Sequence, residues 1–170
     1  MPIETLIENW TEVRRGLIEE AAQIPAAQFA FQPAPDSRSV RQLLQHIVES
    51  QKFLVGEACR SDTNLMRASF AENVKTYAPG VRDINDKDAL LELLRSTMEE
   101  SADKLTAATD EMKNTMKRFD GKEMTKLAFM SFAIAHEMYH RGQLTVYERL
   151  LTIEPALTQR FRKAFGESPP

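Results

Sequence analysis

The chain has few cysteines, no long apolar stretch and no recognisable signal peptide, features that would define other classes of protein. Its one cysteine, Cys59, excludes an internal disulfide and fits a reducing compartment. The longest apolar stretch, Leu127 to Ala135 with Ser131 inside it, is far shorter than the roughly 20 residues that span a bilayer. The first residues show no basic region followed by an apolar one, so no signal peptide is expected. We therefore predict a cytoplasmic protein with no membrane partner.

A strong charge of either sign is also missing. The 22 basic residues nearly balance the 25 acidic ones, and the net charge of -3 gives no positive field that would attract nucleic acid. With 170 residues, 42% of them hydrophobic, the chain is long enough to bury one core without disulfides or a structural metal. We predict one domain over residues 1–170, with a small molecule and not nucleic acid as its partner.

Apolar residues recur at helical spacing in four segments. In the first, Leu6, Trp10, Val13 and Leu17 follow in steps of three and four, which makes one stripe of an amphipathic helix. The segment that begins at Ser39 opens with the S-x-x-Q pattern of a capping box. The predicted helices cover about residues 3–24, 39–59, 86–108 and 125–151. Together they predict an all-α fold, a four-helix bundle.

The connecting segments lack such a period. Residues 60–85, with a turn at Pro79-Gly80, are a long connection for a compact domain, long enough to cross the bundle and leave the second and third helices parallel. The polar residues 110–123 contain the tight turn Asp120-Gly121, and no strand is predicted there. We expect the tail, Thr158 to Pro170, to form a short amphipathic turn docked on the bundle or on a partner subunit.

The histidines are few and unevenly placed. His136 and His140 lie four residues apart, which puts both imidazoles on one face of the fourth helix, where they can hold one metal ion between them. The third histidine, His46, lies at the flank of the apolar face of the second helix. A lone histidine there is more often a hydrogen-bonded core residue. The set of three predicts that the fold brings His46 to the pair as a metal site.

Three histidine ligands leave coordination positions open for water or substrate, as in catalytic metal sites. Imidazole suits zinc, nickel, copper and iron, so the ligands alone do not name the metal. The candidate catalytic carboxylates are Glu137, between the paired histidines, and Glu49, nearly one turn after His46. A carboxylate on the helix surface is the alternative for Glu137.

Residues 136–140 also fit the H-E-x-x-H pattern, in which a metalloprotease uses the glutamate as a general base. The match is weak, because the pattern has two wildcards and no alternating strand is present to form the sheet edge on which such proteases lay a substrate. Residues predicted to contact substrate or to support the ligands are Gln143, Tyr147, Phe53 and Phe132. Core packing is the alternative for those on the fourth helix.

Three motifs together resemble the DinB/YfiT-like family, the damage-inducible type of metalloenzyme-like protein. They are S-V-R-Q-L-L-Q-H over residues 39–46, the turn Asp120-Gly121 before the last helix, and H-x-x-x-H-R-G-Q over residues 136–143. The resemblance extends over nearly the whole chain in length and helix order. It departs after the last helix, where residues 151–155 replace a glycine-containing turn.

The resemblance implies a bundle of up-down-down-up order and frequent homodimers. It also implies a divalent metal, often nickel or zinc, held by His46, His136 and His140. Characterised relatives include transferases and isomerases that use low-molecular-weight thiols such as bacillithiol or mycothiol, so a thiol is a candidate cofactor.

Three hypotheses for function follow. In the first, the protein is a metal-dependent enzyme, either a thiol S-transferase or isomerase or a hydrolase that uses Glu137 or Glu49 as base. In the second, it is a stress-responsive bundle that binds metal or a small ligand without catalysis. In the third, it is an interaction module that binds no metal.

Overall fold

The computed structural model describes residues 2–166. Most of this part of the chain is helical, which confirms the predicted class. It contains six α-helices and one two-stranded sheet, with short 3-10 turns between them. The helices are α1 Ile3–Gln23, α2 Val40–Ala58, α3 Phe70–Tyr77, α4 Lys87–Ala107, α5 Lys126–Leu150 and α6 Ala156–Phe165, and the strands are β1 Thr115–Lys117 and β2 Glu123–Thr125.

The four predicted helices correspond to α1, α2, α4 and α5, and three of them begin at a capping side chain. Ser39 accepts a hydrogen bond from the backbone N–H of Gln42, which completes the expected capping box. Asp86 and Thr125 each accept one hydrogen bond from a backbone N–H in the first turn of α4 and of α5. Local side chains therefore determine where these helices begin.

The four long helices enclose the core. Both α1 and α2 pack against α4 and α5, and α2 also packs against α3. One group of buried apolar residues surrounds Leu17, Leu44 and Leu94, and a second surrounds Leu6 and Met130. Within residues 2–166, no helix combines the length and the apolar character needed to cross a membrane.

The connecting segments are more regular than predicted. The connection after α2 contains α3, which has its own capping box between Ser69 and Glu72. The Asp120-Gly121 turn joins β1 to β2, which pair antiparallel with Met116 opposite Met124. Neither strand was predicted from the sequence, because a three-residue strand is too short to show an alternating period.

The tail is also more regular than predicted, since α6 is a ten-residue helix and not a single turn. Residues 167–170 of the predicted tail lie outside the described residues, and so does Met1 of the predicted domain. Between α5 and α6, Thr152 has a φ of 61°. This is a left-handed conformation that glycine adopts most easily, and it lies in the segment where a glycine-containing turn was missing.

A buried ion pair joins the long helices in the middle of the core. Arg14 on α1 and Glu137 on α5 are 0% and 3% exposed, and the Arg14 guanidinium donates two hydrogen bonds to the Glu137 carboxylate. The same guanidinium donates to Leu94 O and Thr97 on α4 and to Gln51 on α2. One side chain therefore contacts all four long helices.

A pair of buried carboxyl groups, Glu20 and Glu148, lies where α1, α5 and α6 meet. Glu20 accepts hydrogen bonds from the backbone N–H groups of Ala156 and Leu157 at the start of α6, and Arg141 pairs with it at 3.3 Å. Beside it, burial and the Glu20 carboxylate raise the pKa of Glu148 to about 8. Glu148 is therefore mainly protonated near neutral pH, which avoids a second negative charge beside Glu20.

Replacing Glu148 by Gln should change the pH dependence of stability. A folded-state pKa above the unfolded value gives stability that is full below about 4.5 and is lost as the pH rises through about 8. We expect the urea midpoint of Glu148→Gln to exceed that of the wild type by an amount that grows over this range. Glu8→Gln, at an exposed position of α1, is the control and should follow the wild type. Parallel pH profiles for Glu148→Gln and wild type would contradict the assignment.

Candidate metal centre

The three histidines meet where α2 faces α5. One ring nitrogen from each of His46, His136 and His140 lies within 4.8 Å of the others. The ring centroids are 4.4 Å apart for His136 and His140, and 4.8 Å apart for His46 and His140. Among residues 2–166 this is the group of His, Cys, Asp and Glu side chains whose spacing suits a metal ion.

The donor atoms fit a divalent transition metal. The Nε2 atoms of His136 and His140 are 3.1 Å apart, and two nitrogens bound at 2.0–2.1 Å to a tetrahedral zinc ion are about 3.3 Å apart. Three neutral imidazoles are a donor set that zinc and nickel both accept. The residues present therefore fit the predicted metal.

Gln143 positions the His140 ring. Its Oε1 lies 2.7 Å from His140 Nδ1, and an amide oxygen can only accept a hydrogen bond, so the proton is assigned to Nδ1. That leaves the lone pair of Nε2 directed toward His136. Gln143 thus holds the His140 ring in one orientation and one tautomer.

The surroundings keep the histidines neutral. Burial, the Arg38 guanidinium and the neighbouring rings lower the pKa of His46 to about 3. Burial is also the main cause that lowers the pKa of His136 to about 4, and it lowers that of His140. At neutral pH all three rings can offer a lone pair, which is the state that a metal requires.

The two candidate carboxylates lie in different environments. Both oxygens of Glu137 are engaged in the core, by Arg14 and by Trp10, whose indole N–H donates at 3.0 Å. Glu49 lies beside His46, lines the same groove, and is paired with Arg82 at 2.7 Å. The arrangement gives Glu137 a structural anchor and leaves Glu49 as the carboxylate in the groove with a histidine.

The remaining predicted residues divide between the site and the core. Phe53 and Phe132 line an apolar cavity of about 390 Å³ that also reaches His136. Tyr147 lies instead in the core, where its ring contacts Phe31 and its hydroxyl donates to Arg38 O at 2.9 Å. Phe53 and Phe132 therefore share a cavity with His136, whereas Tyr147 contacts the backbone at Arg38.

Several residues of this region were not predicted from the sequence. The cavity is closed on one side by Arg118 and Phe119 of the hairpin and by Phe70 of α3, both of which belong to segments without a detectable period. The Asp120-Gly121 turn was the available signal for the hairpin. Arg38, Arg41 and Arg82 line the groove on the His46 side, and only their clustering around His46 in space reveals them.

The chain is similar to known proteins in sequence and in fold. The sequence profile of the DinB family matches residues 1–168. A DinB-like protein of Bacillus subtilis, YjoA, has a crystal structure similar to this one, with a TM-score of 0.67 and 23% sequence identity over 87% of this chain and 92% of that one. At this identity the similarity concerns the fold. No protein with a curated description matches the chain.

Metal binding should depend on each histidine. Untagged protein is expected to hold about one divalent ion per chain, and His46→Ala, His136→Ala or His140→Ala should each remove it while the helical circular dichroism is retained. Gln143→Leu should weaken affinity by about 10–100-fold, because His140 loses its orienting partner. Elemental analysis and competition with a chelator measure both effects.

Thr145→Ala, one turn along α5 from Arg141, is the matched control and should bind like the wild type. Metal far below one per chain in the wild type, with no change in His46→Ala, would remove the centre. Loss of helix on chelation would instead show that the ion is needed for folding.

Proposed function

Because the chain belongs to the DinB family, we propose that it is a metal-dependent enzyme that binds one nickel or zinc ion and acts on a small molecule by activating a thiol or a water. The observation that carries the proposal is the cluster of three neutral imidazoles from α2 and α5, two of which line open cavities. A closed structural site would have no such access.

The residues around the centre have separate roles in this proposal. His46, His136 and His140 hold the ion, and Gln143 fixes the His140 tautomer. A divalent ion in such a site supplies a Lewis acid that lowers the pKa of a thiol or water. The aromatic residues near His136 exclude bulk water from one side.

Glu49 is the proposed base for a hydrolytic route. It lies in the groove with His46; its own side chain is 4% exposed and that of its partner Arg82 is 74% exposed, so the arginine side of the pair faces solvent. For Glu137 we propose a positioning role, because Trp10 and Arg14 already occupy its oxygens. With a low-molecular-weight thiol as cofactor, no such base is needed once the thiol has ionised.

For the arrangement of the chain, we propose the up-down-down-up order of α1, α2, α4 and α5. A cytoplasmic location is favoured by the single cysteine. These two proposals rest on the sequence and on family membership.

We also propose a homodimer formed through α5. Its outer face carries exposed residues in steps of three and four, with small ones between large ones: Phe132, Ala135, Tyr139, Gly142, Val146 and Leu150. A side chain at Gly142 would meet nothing within 4 Å. This is the pattern with which two copies of a helix interdigitate.

Turnover should depend on the metal. With a panel of low-molecular-weight thiols plus electrophiles, and of esters, amides and epoxides, we expect activity that a chelator abolishes, that added metal restores and that His136→Ala lacks. Glu49→Gln should lower a hydrolytic rate by about 10²–10⁴-fold, as expected for a general base, and should affect a thiol reaction much less.

Glu92→Gln, at the exposed face of α4, is the matched control. If metal remains bound but no member of the panel shows metal-dependent turnover, the enzyme proposal fails. The non-catalytic metal- or ligand-binding bundle then becomes the better description.

The dimer is tested by mass. Light scattering should give twice the chain mass for the wild type and a monomer for Val146→Glu, because a buried charge at the centre of the stripe has no partner. Met66→Glu, at an exposed apolar residue away from α5, should remain dimeric. A wild-type monomer at micromolar concentration would exclude the proposed interface.

A further inference from the structure

Two chemically different cavities adjoin the histidine centre. The apolar one, of about 390 Å³, is lined by His136, and a polar groove of about 630 Å³ is lined by His46. Phe70 of α3 lines both, with its ring centroid 6.4 Å from that of His46 and 5.7 Å from that of Phe53. The histidines therefore lie at the junction of the two cavities, with Phe70 between them.

The apolar cavity has aromatic walls and one free hydroxyl. Phe53 at its base contacts Phe119 of the hairpin, with ring centroids 6.3 Å apart. Ser50, one turn after His46 on α2, is 2% exposed and lines this cavity, and its Oγ has no hydrogen-bond partner among residues 2–166. Buried hydroxyls are rarely unpaired, so a ligand atom is the natural partner.

The polar groove carries positive charge that the described residues do not neutralise. Three arginines line it together with one carboxylate, Glu49, which is paired with Arg82. Within residues 2–166, neither Arg38 nor Arg41 forms an ion pair, and Arg41 Nε is buried without a hydrogen-bond partner. Arg41 Nη1 donates to the neutral Asn85 at 3.3 Å. Two arginines without a counterion match a carboxylate or phosphate.

In the described chain, three buried side-chain atoms lack a hydrogen-bond partner. Two of them belong to residues that line these cavities, one in each. Helix α2 supplies both, Arg41 before His46 and Ser50 after it. The unpaired groups are therefore arranged along one helix on either side of the histidine.

We propose that the site binds two ligand portions at once, an apolar, mainly aromatic group beside Ser50, Phe53 and Phe119, and an anionic group held by Arg38 and Arg41. Reaction at the junction rests on the proposed function, whereas the two binding preferences do not. They define the substrate class as an apolar group and an anion that meet at the histidines, whether in one molecule or in two.

The anionic portion is tested with succinate and its neutral analogue succinamide, titrated into the protein as purified and again after chelation. Succinate should bind and succinamide should not. Arg38→Gln and Arg41→Gln should each lower the affinity for succinate by about tenfold or more, as expected for loss of a charged hydrogen-bonded pair. Arg95→Gln, at an exposed position of α4, should have no effect. Equal binding of the two probes, or no loss in either groove variant, would overturn this half.

The apolar portion is tested with 2-naphthol and naphthalene by fluorescence. Phe119→Ala should weaken both by about two- to tenfold through loss of a ring contact. Ser50→Ala should lower the affinity for 2-naphthol by about two- to tenfold and leave the affinity for naphthalene unchanged, because only 2-naphthol can form a hydrogen bond with the Ser50 hydroxyl. Phe161→Ala on α6 is the control. Failure of either probe to bind, or equal effects of Ser50→Ala on both, would overturn this half.

Simultaneous binding separates two cavities from one. Saturating succinate should leave 2-naphthol binding intact, and mutual exclusion would contradict the proposal. Because these measurements need neither metal nor turnover, the absence of metal-dependent activity would leave them unaffected. Conversely, an active enzyme that binds neither probe would retain the proposed function and lose this inference.

Discussion

The Arg14–Glu137 ion pair is the contact on which the site depends. Glu137 lies between His136 and His140 on α5, so the contact that fixes its carboxylate also fixes the rotation of the helix that carries both histidines. The same guanidinium reaches α2 and α4, and His46 is on α2. Removing one partner from a buried pair costs about 3–5 kcal/mol because the other charge is left uncompensated. The placement of the three histidines and the packing of the four long helices are therefore coupled through one side chain.

The sequence was sufficient for the long helices and for the histidines, but not for this contact. Helix ends followed from capping residues such as Ser39, and the i, i+4 spacing placed His136 and His140 on one face. The apolar stripe predicted for α1 includes Val13, yet Val13 is only half-buried and its neighbour Arg14 is fully buried. Hydrophobic periodicity has no means of placing an arginine inside, since its burial depends on a carboxylate 123 residues away. For the same reason the sequence did not indicate that Glu137 pairs with Arg14.

The H-R-G-Q continuation also gains a physical meaning from the fold. Gln143 orients the His140 ring, whereas Arg141 points away from the centre and pairs with Glu20. Its guanidinium crosses α1 over Gly16, where an added Cβ would lie 2.2 Å from it. A larger residue at position 16 would push Arg141 off Glu20, which also caps α6. The motif thus combines a contact that orients His140 with a helix-packing contact, and sequence spacing alone cannot separate the two.

The charges around the centre favour an anionic ligand independently of the cavity shapes. Three neutral imidazoles leave the full charge of a divalent ion uncompensated, and the nearby carboxylates Glu137 and Glu49 are already paired with Arg14 and Arg82. Arg38 lowers the pKa of all three histidines, which places its positive charge within electrostatic reach of each. That positive charge opposes a cation bound among the histidines. An anion in the groove of Arg38 and Arg41 would offset the Arg38 charge, so metal and anionic ligand should each strengthen binding of the other.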